Sequence, residues 1–237
     1  IEIVRGGGSV MYGSNAIAGT VNLITRDPLF SGGSAQLSLG YMDGSIDQYA
    51  GGSAAWVANN NKVGVSVSVG QRYRESYDRD GDGFTEIPLL KGIAMDVNTF
   101  IRPSTSSRIG VQFRVLDEFR RGGDQLNVRP EEAMIAEQLE TRIYGGEISY
   151  EAYLKNRNHK IDTYIATQHT NMDNYYGAEM DPDGYGLTRD ENYVLGFRHR
   201  WQKDSLNLKP RKISAVTGGE FIRNVLSDSK PGYNVGV

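Results

Sequence analysis

Four valines at every second position, Val63, Val65, Val67 and Val69, are interleaved with Gly64, Ser66, Ser68 and Gly70. In an extended chain successive side chains point to opposite faces, so this segment offers one β-branched face and one small, polar face. The same period of two recurs. Ile109, Val111, Phe113 and Val115 alternate with Gly110, Gln112 and Arg114, and Ile93, Met95, Val97, Thr99 and Ile101 alternate with Ala94, Asp96 and Asn98. Tyr144, Gly146, Ile148 and Tyr150 stand against Glu147, Ser149 and Glu151; Tyr193, Leu195, Phe197 and Trp201 stand against Gly196, Arg198 and Arg200. The pattern predicts an all-β fold of about nine strands, near 33–43, 47–58, 62–73, 91–102, 107–117, 140–154, 159–169, 191–202 and 212–225.

Several of these runs exceed the roughly 5–6 residues common in soluble sheets. They match the roughly 9–11 tilted residues that carry a strand across a bilayer. The connections point the same way. Tight polar turns at 59–61, 103–106 and 155–158 alternate with long connections at 74–90, 117–139 and 170–190. Outer-membrane barrels have short turns at one end and longer extracellular loops at the other, whereas a soluble sandwich has no reason for such alternation. Tyr41, Trp56, Tyr73, Phe100, Phe119, Tyr153, Tyr193 and Trp201 lie near strand ends, as interfacial girdles do. Mean hydropathy is only −0.47. Transmembrane strands average their hydrophobicity away, so this value does not argue against a barrel.

The net charge of −3, with no block of Lys or Arg, gives no electrostatic reason to bind nucleic acid. The absence of cysteine excludes thiolate metal sites, cysteine nucleophiles and disulfides. His159, His169 and His199 are scattered, with no nucleophile–base pairing, so no enzyme is expected. Glu131 and Glu132 sit in the helix-like stretch PEEAMIAEQLE, read as a loop decoration.

Residues 1–30 differ from the hairpin series. Gly6-Gly7-Gly8-Ser9 and Tyr12-Gly13-Ser14 interrupt a β segment that resumes at Thr20–Thr25, and Asp27-Pro28 and Ser31-Gly32-Gly33 separate it from the first hairpin. The segment IEIVRGGGSVMYGSNAIAGTVNLIT resembles the end of the plug domain of TonB-dependent outer-membrane receptors. The family pattern runs roughly I-E-x-[VL]-R-G-P-x-S-x-x-Y-G-x-x-A-[IM]-x-G-x-[IV]-N-[IVL]-[IV]-T. Glu2, Arg5, Gly6, Ser9, Tyr12, Gly13, Ala16, Ile17, Gly19, Asn22, Ile24 and Thr25 match, and Gly7 stands where the family usually has proline.

The resemblance implies a plug tail at 1–30 and the first part of a transmembrane antiparallel barrel at 31–237. It implies a fragment of a large plugged barrel in the bacterial outer membrane, contacting lipid, with TonB acting through a segment upstream of residue 1. The family couples ligand binding to active uptake of a scarce nutrient. It also implies a role for Arg5: a plug arginine at this motif pairs with barrel glutamates, expected here beyond Val237, and locks plug to wall.

Asp78, Asp80 and Asp82 fall at every second position with Gly83 next in the chain, an array of hard oxygen ligands like the first half of an EF-hand loop. Leu89 occupies the twelfth position, where an EF-hand needs Glu, so this is not an EF-hand; Glu86 could add a ligand. Asp173, Asp181 and Asp183 form a second acidic group in the 170–190 connection. Calcium is the expected cofactor. Vitamin B12 receptors of the family bind Ca²⁺ through aspartates in early extracellular loops, so the resemblance makes cobalamin the first nutrient expected, with a ferric siderophore or haem next. A passive porin and a soluble calcium-binding adhesion protein are the alternative classes.

Overall fold

The computed structural model describes residues 2–5, 19–22, 27–28, 30–154, 157–204 and 212–230. Two short strands, β1 (Glu2–Arg5) and β2 (Gly19–Asn22), pair antiparallel, with Arg5 opposite Gly19. The glycine-rich stretch between them and the end of the plug-like motif, including Ile24 and Thr25, lie outside the described residues. The rest is one nine-stranded sheet: β3 (Gly32–Met42), β4 (Ser45–Val57), β5 (Val63–Arg74), β6 (Leu89–Ser104), β7 (Ser107–Gly123), β8 (Ile135–Leu154), β9 (His159–Ala178), β10 (Tyr185–Asp204) and β11 (Lys212–Ser229). Spatial order follows chain order and every neighbouring pair is antiparallel, so the sheet is an uninterrupted meander.

The expected number of strands is found, but β7 to β10 are longer than their hydrophobic periods. β7 runs to Gly123 rather than 117, β8 starts at Ile135 rather than 140, β9 runs to Ala178 rather than 169, and β10 starts at Tyr185 rather than 191. The connections read at 117–139 and 170–190 shrink to 124–134 and 179–184. The added segments, such as Thr170-Asn171-Met172-Asp173-Asn174, are mostly polar and carry no sustained apolar–polar alternation. They are strands because β8 and β10 supply ladder partners on both sides, as in Arg142↔Asn171↔Arg189. The stretch PEEAMIAEQLE is likewise no helix. A single 3₁₀ turn at Pro130–Glu132 leads into β8, whose Ala136 pairs with Gly123 and Gly177. Ladders on two sides outweigh a weak helix propensity.

Register sorts the side chains into two faces. On one face Trp56, Val65, Thr99, Val111, Ile148, Ile165, Leu195 and Phe221 oppose one another in a continuous row from β4 to β11. Most of these side chains are exposed, Ile148 by 60%, Ile165 by 63% and Phe221 by 65%, while Val65 and Thr99 are half-buried. On the other face Ser34, Ser53, Ser68, Asp96, Arg114, Gly145, Gln168, Asn192 and Asn224 form a row across all nine strands, with no apolar member. An exposed apolar surface of this continuity far exceeds the patches soluble monomers tolerate.

Aromatic rings on the polar face lie over glycines. Phe100, fully buried, covers Gly64 so closely that a Cβ there would collide with the ring; Tyr164 covers Gly196 in the same way. A ring over a glycine shields backbone that has no side chain of its own. Phe100 therefore does not belong to a girdle, and neither does Tyr153, which shares the polar face and lies 5.6 Å beneath the Lys160 ammonium. Tyr41, Trp56, Tyr73, Phe119, Tyr193 and Trp201 share the apolar face.

Candidate functional site

The acidic loop between β5 and β6 is closed at its base by paired hydrogen bonds between Tyr77 and Ile87, 2.9 and 3.2 Å. Within it the carboxylates first organise their own turn. Asp78 accepts from the backbone N–H groups of Gly81 (2.8 Å) and Gly83 (2.9 Å), Asp82 from Phe84 (2.8 Å), and Glu86 from Arg79 (2.7 Å). Gly81 (φ +75°) and Gly83 (φ +92°) occupy the left-handed region, which explains the D-x-D-G-D-G spacing as turn chemistry. One carboxylate oxygen from each of Asp78, Asp80 and Glu86 lies within 4.8 Å of the others. Asp82 is not part of that group.

The loop is also tied to the next hairpin. Thr85 N–H donates to the Gly123 carbonyl (3.1 Å), and Gly123 N–H donates to Thr85 Oγ1 (3.0 Å). Gly123 has φ +100°, and a Cβ there would run into the Ile135 carbonyl oxygen, so no other residue fits.

The second acidic group is dispersed. Asp173 lies in β9, opposite Glu140 and Leu187, while Asp181 and Asp183 are in the 179–184 turn, where Asp183 N–H donates to Asp181 Oδ1 at 2.8 Å. Among the described residues these three do not converge. What organises this rim is a hub that no local motif announces. Tyr175, 1% exposed, packs with Ala133, Ala136 and Val128, meets the Tyr185 ring edge-on at 4.9 Å, and donates to the Asp181 carbonyl at 2.6 Å. The Arg121 guanidinium, 2% exposed, donates to the Gly122 carbonyl at 2.5 Å, and Asp124 accepts from Ile135 N–H at 2.9 Å. Tyr185 donates to Glu131 at 2.5 Å, and that bond holds the Glu131 carboxyl below its ordinary range. Glu131, a loop decoration by sequence, thus ties the 124–134 loop to β10.

Arg5 ends β1 and is exposed, and no ion pair to it occurs among the described residues. At the rim opposite the acidic loop, a carboxylate just before β3 is engaged. Asp27 is bound by two arginines from the β6–β7 hairpin, Arg102 and Arg108. By sequence Asp27-Pro28 is only a boundary. The polar face between the rims carries a groove lined by Asp96, Gln112, Arg114, Glu147, Gln168 and Asn192.

The ferric yersiniabactin uptake receptor FyuA from Yersinia pestis superposes on this chain with a TM-score of 0.53 at 12% identity, over 95% of this chain and 48% of its own. The sheet has the fold of part of a TonB-dependent receptor barrel. A second solved structure, the copper transporter OprC, is similar over 94% of this chain and 46% of its own, with 15% identity and a TM-score of 0.40. This chain spans about half the length of either protein. No protein-family model and no curated protein sequence matches it. In this barrel fold the nine strands form a stretch of wall, and the sheet's two faces correspond to its outside and its lumen.

Proposed function

We propose that the chain joins the end of a plug, residues 1–30, to the wall of an outer-membrane barrel, residues 31–237, in a TonB-dependent receptor that imports a scarce nutrient. The observation that carries this is the sorting of faces in register. A mostly apolar and mostly exposed row from Trp56 to Phe221 meets lipid, and a polar row from Ser34 to Asn224 meets the plug and the passing ligand. On this reading the loops at 75–88, 124–134 and 179–184 are extracellular, the turns at 58–62 and 105–106 periplasmic, and TonB acts through a segment upstream of residue 1. Arg5 locks plug to wall through glutamates beyond Val237.

The nutrient is argued from the first acidic loop. Ca²⁺ bonds oxygen at roughly 2.3–2.6 Å, so its ligands lie no more than about 5 Å apart. The oxygens of Asp78, Asp80 and Glu86, within 4.8 Å of one another, are compatible with that spacing. A calcium-ordered loop supports cobalamin as the first nutrient, on these three residues alone. Asp82, Asp173, Asp181 and Asp183 do not join them. A ferric siderophore is the second reading, favoured by the fold shared with the ferric yersiniabactin receptor.

The experiment is uptake of labelled cobalamin and ferric siderophores by cells producing the intact receptor, with and without TonB. Uptake of one ligand that vanishes without TonB is expected. Uptake indifferent to TonB would mean a passive pore, and extraction into buffer without detergent would mean a soluble adhesion protein.

A further inference from the structure

We propose that Asp27 is a positioning residue of the transport cycle, the fixed point at which a pull on the plug stops before it reaches the barrel wall. This role rests on the chain being part of a TonB-dependent receptor.

Both carboxylate oxygens of Asp27 are used. Arg108 grips it bidentately, through Nη2 to Oδ1 and through Nε to Oδ2 at 2.8 Å, and Arg102 Nη2 adds a contact to Oδ2 at 3.3 Å. The carboxylate is 17% exposed, and its partners are 75 and 81 residues away in sequence. Such a charge-assisted fork is among the stronger and more directional polar contacts a protein makes. Arg102 is itself held. Its Nη1 donates to the Asn61 carbonyl at 3.0 Å, and its guanidinium lies 4.1 Å over the Phe100 ring, which fills the space left by Gly64. Clamp, turn and buried ring form one connected block at a single rim.

Its position gives the clamp a mechanical meaning. Next along the chain comes β3, which starts at Gly32-Gly33 and has only β4 as neighbour in this sheet. A pull arriving at the first residue of β3 would load its ladder one hydrogen-bonded pair at a time, as a zipper opens. At Asp27 the same pull meets three charge-assisted bonds loaded together, anchored in a different hairpin. Between clamp and ladder lies a weaker hold, the neutral hydrogen bond from Val57 N–H to Ser31 Oγ at 2.9 Å, which the same pull would break.

The test uses the intact receptor in lipid bilayers. In the resting protein, spin labels at Phe30 and Thr105 report the distance across the clamp. A narrow distribution is expected in wild type, a broad one in Asp27→Asn, and a narrow one again in the charge exchange Asp27→Arg with Arg108→Asp. In single-molecule pulling from the N-terminus, wild type should hold after the plug has extended. Asp27→Asn should lengthen further by about 50 Å, residues 28–42 at roughly 3.3–3.6 Å each. If Asp27→Asn fails to insert, Arg108→Gln takes its place. Equal distributions in wild type and variant overturn the clamp. A broad distribution with an unchanged pulling trace overturns its mechanical role. Neither measurement needs TonB or ligand, so loss of TonB-dependent uptake would sink the receptor reading while the clamp is judged on its own.

Discussion

Arginine at Ile148 and arginine at Gln168 should have opposite fates. Ile148 is 60% exposed on the apolar face, between Val111 and Ile165, whereas Gln168 lies on the polar face between Gly145 and Asn192. If the apolar face meets hydrocarbon, Ile148→Arg forfeits the transfer of an aliphatic side chain out of water, about 1.5–3 kcal/mol. It also brings a guanidinium to the lipid, about 2–4 kcal/mol near the bilayer midplane. Together these come to roughly 3–7 kcal/mol. That is a large part of the about 5–15 kcal/mol that holds a typical protein folded. Gln168→Arg puts the same charge where Asp96, Arg114 and Glu147 already line a groove on the polar face, and should cost under about 1 kcal/mol. The assay is reversible denaturant unfolding of the intact receptor in lipid vesicles, followed by tryptophan fluorescence. Equal costs at the two positions, or a greater cost at Gln168, would refute the assignment of faces.

Three further outcomes are expected. Calcium should raise affinity for the imported ligand at least several-fold, and Asp78→Asn with Asp80→Asn and Glu86→Gln should remove that gain; calorimetric titration with calcium and with chelator decides it, and equal affinities throughout would leave the loop a solvated surface. Arg5→Ala in the intact receptor should increase passive leakage of a small fluorescent solute without blocking insertion, and unchanged leakage with unchanged uptake would make Arg5 an ordinary strand-end residue. The Glu131–Tyr185 bond lowers the Glu131 pKa, so its contribution is present above the ordinary carboxylate range and lost as pH falls below it; amide protection factors in the 124–134 loop, corrected for the intrinsic pH dependence of exchange, should fall on acidification in wild type and stay constant in Glu131→Gln.

What can be read from the sequence is whatever one residue period encodes. Where a strand divides two environments, as β5 does with Val63–Val69 against Gly64–Gly70, the alternation is complete and the strand is legible from eight residues. Beyond the apolar band neither face needs to be greasy, so β9 continues through Thr170–Ala178 with no pattern to announce it and is held by its neighbours alone. Loss of pattern reads as loss of structure, which turns much of the strand pair around 170–190 into a loop and makes its aspartates look like ligands. The same logic separates the two acidic groups. Asp78 and Asp80 sit beside Gly81 and Gly83, whose left-handed backbone curls the loop and brings Glu86 back to them, and that is local chemistry a sequence can show. The grip on Asp27 is not local. Its two arginines are placed by the register of β6 and β7 and by a ring filling the gap at Gly64, and nothing in the residues around Asp27 spells that out. A carboxylate beside a proline at a domain boundary reads as punctuation until the fold supplies its partners.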